Sequence, residues 1–486
     1  MKTLKGLSFL ILLFSTTLTQ GRVNMGPLQT DGMVLQQNAD VKLWGWTQPN
    51  HKVSVKGSWN RMKVNTRSDE NGRFEVTLKT GEGNYNPQTI EVNDGDKLII
   101  NDVLIGEVWL CSGQSNMEMP LHGFNSCPVE NSAEYIAEAG KYKGKLHLNF
   151  VSWSPAPVPA DTVTALWQDC TPLSARDFCA VGYFFGIRLV ETLNVPVGII
   201  NSSLGATRVE GWTPREIVQE YPDENLKSDA VINCDKIKPG KDVDRSLPTV
   251  FYNGMIHPLE GYTLKGFLWY QGEANIDKPE NYCERFINMV QAWRNRWGEG
   301  SLPFYYVEIC PYDYFWAKDK RTVPLLREAQ CRAQNLIPNM GMVCTNDLVK
   351  DYEYWAIHPC MKKEIGDRLC YWALGDTYNI PGIDYRYPEY QSMEIKGDQV
   401  ILTFKNAGNG FNRNVGIQGF EVAGADSVWH KASNIGVYNE DRISVKCEEV
   451  KEPVAVRYCF QSWLLGNLKA SSGLPIIPFR TDDWAR

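Results

Sequence analysis

The chain has 486 residues, of which 43% are hydrophobic and 22% are charged, and its formal net charge is −7. This length is sufficient for two or three domains with a large core, and the composition is ordinary for a soluble protein. The negative charge argues against nucleic acid or an anionic membrane surface as the main partner. We therefore expect no nucleic-acid binding and no membrane insertion, while the composition leaves the oligomeric state open.

Residues 1–21 have the pattern of a secretory signal peptide. Lys2 and Lys5 give a positive start, residues 7–14 form a short apolar run, and small or polar residues follow to Gly21. The apolar run is too short to cross a bilayer as a helix. We therefore expect an exported protein that is periplasmic or extracellular, or lysosomal in a eukaryote.

The 13 cysteines are scattered along the chain. They form neither a C-x-x-C pair nor a His/Cys cluster with the spacing of a zinc site, so we expect no metal and no cofactor. An odd number leaves at least one thiol unpaired, and Cys111, Cys310 and Cys344 lie in apolar, strand-like runs. These three are expected to be buried free thiols.

The elements along the chain divide into three regions. Residues 22–105 consist of strand patterns separated by Asn, Asp and Gly turns, which predicts an N-terminal β-sandwich. In residues 106–384 strands alternate with amphipathic helices, which predicts an α/β domain with a mostly parallel sheet and helices on both sides. Strand patterns return in residues 385–486, which predicts a C-terminal β-rich region.

The central α/β region is expected to gather its polar segments at one sheet edge. Its predicted strands are 108–111, 146–151, 197–200, 266–270, 304–309 and 341–344, and its clearest predicted helices span about 178–189, 279–297 and 361–372. Such sheets bind ligands beyond the carboxyl ends of their strands. Ser115, Gly205 and residues 271–275 each follow a predicted strand, and His358 follows the last strand after a loop.

The stretch 106–120 carries the clearest chemical signal. It runs from an apolar strand through Gly113 to Ser115, where the next helix is expected to begin. A serine at a strand-to-helix turn exposes its hydroxyl, and nearby backbone amides suit a developing oxyanion. Met117 replaces the second glycine of the G-x-S-x-G elbow, so the spacing alone favours an ordinary polar turn.

A serine nucleophile needs a base, and six histidines are available. Five of them are predicted to lie in the flanking β-regions, inside a strand, in a loop without a fixed strand end, or at the opposite edge of the sheet. His358 is expected at the same edge as Ser115 and is therefore the candidate base.

Four segments, taken in order, resemble a known family. They are Gly-Gln-Ser-Asn-Met-Glu-Met at 113–119, Asn-Ser-Ser-Leu-Gly-Ala-Thr at 201–207, Trp-Tyr-Gln-Gly-Glu-Ala-Asn at 269–275 and Ile-His-Pro at 357–359. Together they resemble the sialate O-acetylesterase family, a branch of the SGNH hydrolases. The resemblance implies a three-layer α/β/α fold and hydrolysis of the 9-O-acetyl ester of sialic acid through a serine acyl-enzyme. Acetyl groups on plant polysaccharides such as xylan are a chemically similar alternative.

The resemblance also implies roles for individual residues. Ser115 would be the nucleophile and His358 the base. The oxyanion donors would be the amides of Ser115 and Gly205, together with the side-chain amide of Gln271 or Asn275.

The acid partner of His358 departs from the family pattern. The family usually places an aspartate within three residues before this histidine, whereas residues 355–357 here are Trp, Ala and Ile. Asp347, Asp351 and Glu353 in the same loop are the alternatives. A backbone carbonyl that orients the imidazole would instead leave a Ser–His dyad.

Two other functions were weighed against this interpretation. Glu118 and Glu210 are carboxylates that a glycosidase would use as a pair. A non-catalytic glycan-binding protein on an esterase fold is the second alternative, because the acid before His358 is replaced. Both account less well for the four ordered segments.

Overall fold

The computed structural model describes residues 23–236, 244–412 and 416–484. The predicted signal peptide, residues 1–21, lies outside these ranges. Within them, no helix is both long and apolar enough to span a membrane. All thirteen cysteines are described and none forms a disulfide. Cys111, Cys310 and Cys344 are buried free thiols, as predicted.

The N-terminal region consists of short antiparallel strands that lead into one long strand. The strands are β1 (Asn24–Met25), β2 (Val34–Gln36), β3 (Asp40–Trp46), β4 (Lys52–Gly57), β5 (Lys63–Arg67), β6 (Arg73–Lys79), β7 (Asn84–Asn93) and β8 (Lys97–Gly113). In β6, Phe74, Val76 and Leu78 are buried, whereas the residues between them are exposed. This alternation is expected of a strand with one face on a core and one face in water.

Strand β8 belongs to two parts of the molecule and passes through residue 105, the predicted region boundary. Its first half pairs with β7, and residues 104–106 pair with β2. Residues 107–113 then form the centre of the main sheet. From residue 103 onward every position is buried, because this half of the strand is covered on both faces.

The main sheet places β8 in its middle. The further strands are β9 (Leu146–Val151), β10 (Ala165–Asp169), β11 (Val197–Ser203), β12 (Gly266–Tyr270), β13 (Phe304–Val307) and β14 (Met340–Val343). They follow the order β10-β9-β11-β8-β12-β13-β14, in which all neighbours are parallel except β10, which runs antiparallel at the edge. The carboxyl ends of β8, β11 and β12 therefore lie side by side.

Helices connect the strands. They are α1 (Ser115–Glu118), α2 (Ser132–Glu138), α3 (Pro172–Asp177), α4 (Ala180–Leu193), α5 (Arg215–Val218), α6 (Asp229–Ile232), α7 (Pro279–Trp297), α8 (Thr322–Ala333) and α9 (Lys362–Trp372). In β13, Phe304 packs against Phe286 of α7, whereas the next residue, Tyr305, packs against Trp372 of α9. Because successive side chains of a strand point to opposite faces, α7 and α9 lie on opposite faces of the sheet.

Two further four-stranded sheets form the C-terminal region. Their strands are β15 (Glu389–Lys396), β16 (Gln399–Lys405), β17 (Phe420–Ala423), β18 (Trp429–Lys431), β19 (Asn434–Val437), β20 (Arg442–Lys446), β21 (Ala455–Tyr458) and β22 (Phe479–Arg480). The orders are β15-β16-β20-β19 and β18-β17-β21-β22. Leu402, Phe420 and Tyr458 belong to the core between them. The predicted mixed α/β class with additional β-sheets is thus confirmed.

A buried ion pair joins α8 to the end of β13, and its arginine also contacts the C-terminal region. Arg327 of α8 donates to both carboxylate oxygens of Glu308, at 3.0 and 3.2 Å. It also donates to Oδ1 of Asn346 and to the backbone carbonyl of Cys459. Both charged side chains are about 1% exposed. Removal of one partner would leave the other charge buried and uncompensated.

We predict that Arg327→Met lowers the free energy of unfolding by about 3–5 kcal/mol, because Glu308 would keep a buried charge. Urea unfolding followed by circular dichroism measures the change. The double variant Arg327→Met/Glu308→Leu should recover a large part of the loss, because it removes both charges together. A single variant as stable as the parent would contradict this account of the junction.

Candidate active site

Ser115 lies directly beyond the carboxyl end of β8. Gly113 ends the strand with a φ of 137°, and a Cβ there would approach the carbonyl oxygen of Tyr270 to 2.2 Å. Only glycine fits this close contact with β12. The next amide, that of Gln114, donates to the same carbonyl at 2.9 Å, and α1 begins at Ser115. The turn holds Ser115 half-buried at the sheet edge.

Ser115, Gly205 and His358 line one pocket of about 640 Å³. Their segments follow β8, β11 and β14, as the sequence predicts. The remaining lining residues are Gln114, Glu118, Phe124, Ala206, Arg245, Glu273, Ala274, Trp316 and Ile357. The pocket therefore combines a hydroxyl, an imidazole and a backbone amide with both apolar and charged side chains.

The amide of Gly205 faces the serine side of this pocket. Its N–H donates to Oε2 of Glu118 at 2.6 Å, so it already binds a carboxyl oxygen. A Cβ at position 205 would lie 2.9 Å from that oxygen and 3.1 Å from Cβ of Ser115. A side chain at this position would crowd the Glu118 carboxyl group and Ser115, so glycine leaves the most room beside the serine. Burial raises the pKa of Glu118, an effect that the Gly205 amide and Arg245 oppose.

Gln271 and Asn275 do not line the pocket with Ser115. The Gln271 amide group donates to the Thr207 carbonyl and to Oδ1 of Asn275, at 3.0 and 2.7 Å. The Asn275 amide group donates to Glu210, and its oxygen accepts from the Val209 N–H. Both side chains hold the segment that follows Gly205, so the structure gives them a positioning role in place of the expected oxyanion contact.

Glu210 also makes its contacts outside the pocket that contains Ser115. Arg285 donates to its carboxylate at 2.7 Å, and the side chain is 1% exposed. It does not share the pocket lining with Glu118. The two carboxylates therefore do not form the facing pair that a glycosidase requires.

A buried hydrogen-bond network connects the segments that carry Ser115 and His358, and its members were not identified from the sequence. Asn116 donates to Oε1 of Glu273 at 2.6 Å and to the Ile357 carbonyl at 3.0 Å. Lys362 donates to Oδ1 of Asn116 at 2.6 Å. Burial lowers the pKa of Lys362 to about 8, although neighbouring acidic groups oppose the shift. Burial also raises the pKa of Glu273. The sequence contained one clue to these two residues: Asn116 directly follows Ser115, and Lys362 lies shortly after His358.

His358 lies in the loop before α9 and is held by packing. Its ring makes an edge contact with Phe124 at a centroid distance of 5.1 Å. Its Nε2 atom is buried and has no hydrogen-bond partner among the described residues. Burial, and next the charge of Lys362, lowers the pKa of His358 to about 4. The imidazole is therefore neutral at ordinary pH and has the protonation state of a base.

The three candidate acids make other contacts. Asp347 accepts from both terminal nitrogens of Arg368 at 2.7 Å and pairs with Lys469 at 2.6 Å. Asp351 is exposed. Glu353 accepts from the Lys350 and Cys360 amides, both at 2.8 Å. The structure does not bring Asp347 or Asp351 to the imidazole, because the first is neutralised by two cations and the second points into solvent. Glu353 closes the loop that carries His358.

A family model described as a carbohydrate esterase, sialic acid-specific acetylesterase, matches residues 105–372. This range contains Ser115, Gly205 and His358. The family match assigns the chain to the carbohydrate esterases, which are hydrolases that cleave ester bonds on sugars. The chain belongs to the sialic acid-specific acetylesterase family, and the resemblance given by the four segments is confirmed.

Individual relatives agree with this assignment. Sialate O-acetylesterases of Mus musculus and Homo sapiens are 28% and 29% identical to this chain over 429 and 412 residues. Each alignment covers 76% of this chain, and they cover 76% and 74% of the relatives. A carbohydrate acetylesterase from Xanthomonas citri has a similar crystal structure, with a TM-score of 0.83 and 31% identity. That match covers 95% of this chain and 100% of the other.

We predict that kcat/KM for a neutral acetate ester rises with pH through an inflection at about pH 4. His358 must be neutral to accept the serine proton, and its pKa is lowered to about 4 from 6.5. Activity should therefore be lost only as the pH falls through about 4. Initial rates at low substrate, measured across the acidic range, give the inflection.

Glu118→Gln is the control for this inflection, because Glu118 is a titrating carboxyl group of the same pocket that lies close to Gly205. If His358 is responsible, the inflection remains at about pH 4 in this variant. An inflection that disappears with Glu118, or one that lies near the ordinary pKa of histidine, would contradict the prediction.

We predict that His358→Ala lowers kcat/KM by roughly 10⁴-fold or more, because the general base is removed. Single alanine variants of Asp347, Asp351 and Glu353 should each be less impaired, with Asp351→Ala within about twofold of the parent. Asp347→Asn is the control for Asp347→Ala: it keeps the shape of the side chain, so it shows whether a loss of activity in the alanine variant comes from a loss of folded protein. Values of kcat/KM on one acetyl ester for all five variants decide the question. One acid variant as inactive as His358→Ala would identify a relocated triad.

Proposed function

We propose that the protein hydrolyses acetyl esters of carbohydrates through a serine acyl-enzyme. The observation that supports this most directly is that Ser115, the Gly205 amide and His358 line the same pocket. A serine hydroxyl needs an adjacent base, and the tetrahedral intermediate needs donors for its oxyanion. These three groups supply a nucleophile, a base and one donor.

The proposed reaction proceeds in two halves. Oγ of Ser115 attacks the acetyl carbonyl carbon while His358 accepts the hydroxyl proton. The negative oxygen of the intermediate accepts hydrogen bonds from the amides of Gly205 and Ser115, and it takes the place of the Glu118 carboxyl oxygen at Gly205. The intermediate collapses, the sugar oxygen leaves with the proton from His358, and the acetyl group remains on Ser115. Water, deprotonated by His358, then releases acetate by the same route.

The histidine in this mechanism acts without a hydrogen-bonded carboxylate. Its orientation would come from contact with Phe124, from the Glu353 bonds that close its loop, and from the Asn116 bond to the preceding carbonyl. A triad aspartate mainly fixes the tautomer and stabilises the imidazolium. A Ser–His dyad held by packing would retain the positioning and lose part of the electrostatic contribution.

For the substrate we propose the 9-O-acetyl ester of sialic acid, because relatives of this chain are named sialate O-acetylesterases. The Arg245 guanidinium lies on the pocket wall, where it donates to the Gly205 carbonyl at 3.0 Å. A guanidinium is well suited to bind the carboxylate of sialic acid. Acetylated polysaccharide such as xylan is the second candidate, because exposed aromatic side chains adjoin the pocket.

Two further properties belong to this proposal. The central region is taken to have the three-layer α/β/α arrangement of SGNH hydrolases, flanked by an N-terminal β-sandwich and a C-terminal β-region. The helices on both faces of the main sheet support it. The protein is also proposed to be exported, on the strength of the sequence pattern in residues 1–21.

We predict that Ser115→Ala lowers kcat/KM for an aryl acetate by at least about 10⁴-fold and leaves the circular dichroism spectrum unchanged, because only the nucleophile is lost. Ser112→Ala is the matched control, since Ser112 is a buried serine near the end of β8, shortly before Ser115, and its hydroxyl has no partner in the described structure. This control should be near parental in activity. Chelation of divalent ions is expected to leave the parent active.

Activity of Ser115→Ala within about tenfold of the parent would reject the serine mechanism. A parent inactive on every acetyl ester would favour the non-catalytic glycan-binding alternative. The values of kcat/KM on 9-O-acetyl sialic acid and on acetylated xylan show which of the two is the better substrate.

A further inference from the structure

Aromatic side chains form a continuous patch beside the pocket, which we call the aromatic band: Trp316, Phe315, Trp355, Tyr354 and Trp463. The centroid distances between successive rings are 5.1, 5.7, 5.0 and 5.3 Å. Trp355, Phe315 and Trp316 are 65%, 61% and 46% exposed. Singly exposed apolar residues are ordinary, but a contiguous exposed patch of this kind marks a binding surface.

The aromatic band begins inside the candidate active site. Trp316 lines the same pocket as Ser115, and Trp355 lies three residues before His358 in one loop. The band then leads away from the pocket to Trp463 of the C-terminal region. A molecule bound along it would have one end at the serine.

Hydrogen bonds fix the loops that present these rings. The carboxylate of Asp313, a buried residue, accepts from the Tyr354 hydroxyl at 2.7 Å and from Lys320. The Tyr312 amide donates to the Ser462 carbonyl at 3.0 Å. These bonds connect the loop of Phe315 and Trp316 to the loop of Trp355 and to the segment next to Trp463. The band is therefore pre-organised and loses little entropy when a ligand binds.

The size of the band fits a small ligand surface better than a protein interface. Fully exposed aromatic side chains present about 150–250 Å² each, so the three most exposed rings offer roughly 250–450 Å². Each partner in a stable protein complex buries about 800 Å². Pyranose rings have apolar C–H faces that stack on aromatic rings, and a few sugar units match the available area.

We propose that the aromatic band binds the glycan chain that carries the acetylated sugar, so that the enzyme acts on acetyl groups of oligosaccharide or polysaccharide in preference to a free monosaccharide. This inference rests on the proposed esterase function of the adjoining pocket. Contacts with remote parts of a substrate contribute binding energy that can be used at the reacting group. The chain-binding rings should therefore raise kcat/KM only for substrates long enough to reach them.

The test compares the parent with Trp355→Ala, Phe315→Ala/Trp355→Ala and Trp355→Phe. The substrates are an aryl acetate, free 9-O-acetyl sialic acid, acetylated sialoglycans of mucin, and partially acetylated xylooligosaccharides of increasing length. The double variant should lose about tenfold or more in kcat/KM on one class of chain substrate. It should stay within about twofold of the parent on the aryl acetate. Trp355→Phe should recover part of the loss. The class of chain substrate on which the double variant loses activity shows whether the band binds a sialoglycan or a plant-type polysaccharide.

Tyr438→Ala is the matched control, because Tyr438 is a 52% exposed aromatic residue at the end of a strand of the C-terminal region. It should change none of these values. Binding to the chain substrates is also measured by affinity electrophoresis in the Ser115→Ala background, with and without the band substitutions. This binding measurement does not need catalysis. It therefore tests glycan binding by the aromatic band even if the proposed esterase function is wrong.

Three results would overturn the inference. The first is equal turnover and equal binding of every chain substrate by the parent and the double variant. The second is a free acetylated monosaccharide hydrolysed by the parent as efficiently as the chains. The third is a change of oligomeric state in the double variant, seen by sedimentation, without any effect on glycans, which would make the band a self-association surface.

Discussion

The side-chain amide of Asn116 is the contact on which the geometry of the site depends. This fully buried group bonds to Glu273 after β12, to the Ile357 carbonyl beside the histidine, and to Lys362 at the start of α9. Asn116 itself follows the nucleophile. This one amide therefore joins the segment of Ser115 to two distant segments, one at Glu273 and one that contains Ile357 and Lys362, and it fixes the position of His358 relative to Ser115. Buried polar groups with all partners present specify one arrangement, because any shift leaves a costly unpaired group.

The surroundings of this amide also set the charges in the site. Lys362 is buried, and its positive charge adds to burial in keeping His358 neutral. A histidine paired with a carboxylate would be pushed toward the charged form. Here the environment favours the neutral imidazole, and in the proposed mechanism it would make the imidazolium intermediate less favourable. In the proposed mechanism the oxyanion would compete with the Glu118 carboxyl for the Gly205 amide, so substrate binding and the displacement of Glu118 would be coupled.

Much of the fold was accessible from the sequence, because it depends on local patterns. The strands Leu146–Val151 and Gly266–Tyr270 have the predicted bounds, since fully buried parallel strands appear as apolar runs between turns. The helix Pro279–Trp297 was likewise evident from its apolar stripe. The edge location of Ser115 and His358 followed from topology alone.

The parts that escaped prediction depend on partners remote in the chain. Gln271 and Asn275 carry the right chemical group for an oxyanion donor, but Thr207 and Glu210 already accept from them. Asp347 lies in the right loop but is bound by Arg368. The continuity of β8 across the predicted boundary at residue 105 was not predicted, and the burial of this strand changes from mixed to complete at about residue 103. The spacing of residues along the sequence does not show which hydrogen-bond partner a distant element will provide.

Because β8 is continuous, the flanking N-terminal strands and the nucleophile turn share one backbone element. Fluctuations that open the N-terminal sheet would pull on the same peptide groups that end at Gly113 and Ser115. Cooperative opening units often coincide with supersecondary motifs, so we expect the N-terminal sheet and this turn to open together. During synthesis, this central strand also emerges before β11 and β12, its two neighbours in the main sheet. Until those strands arrive, residues 107–113 of β8 have unpaired edges, whereas residues 97–106 already have partners in β2 and β7 of the N-terminal region.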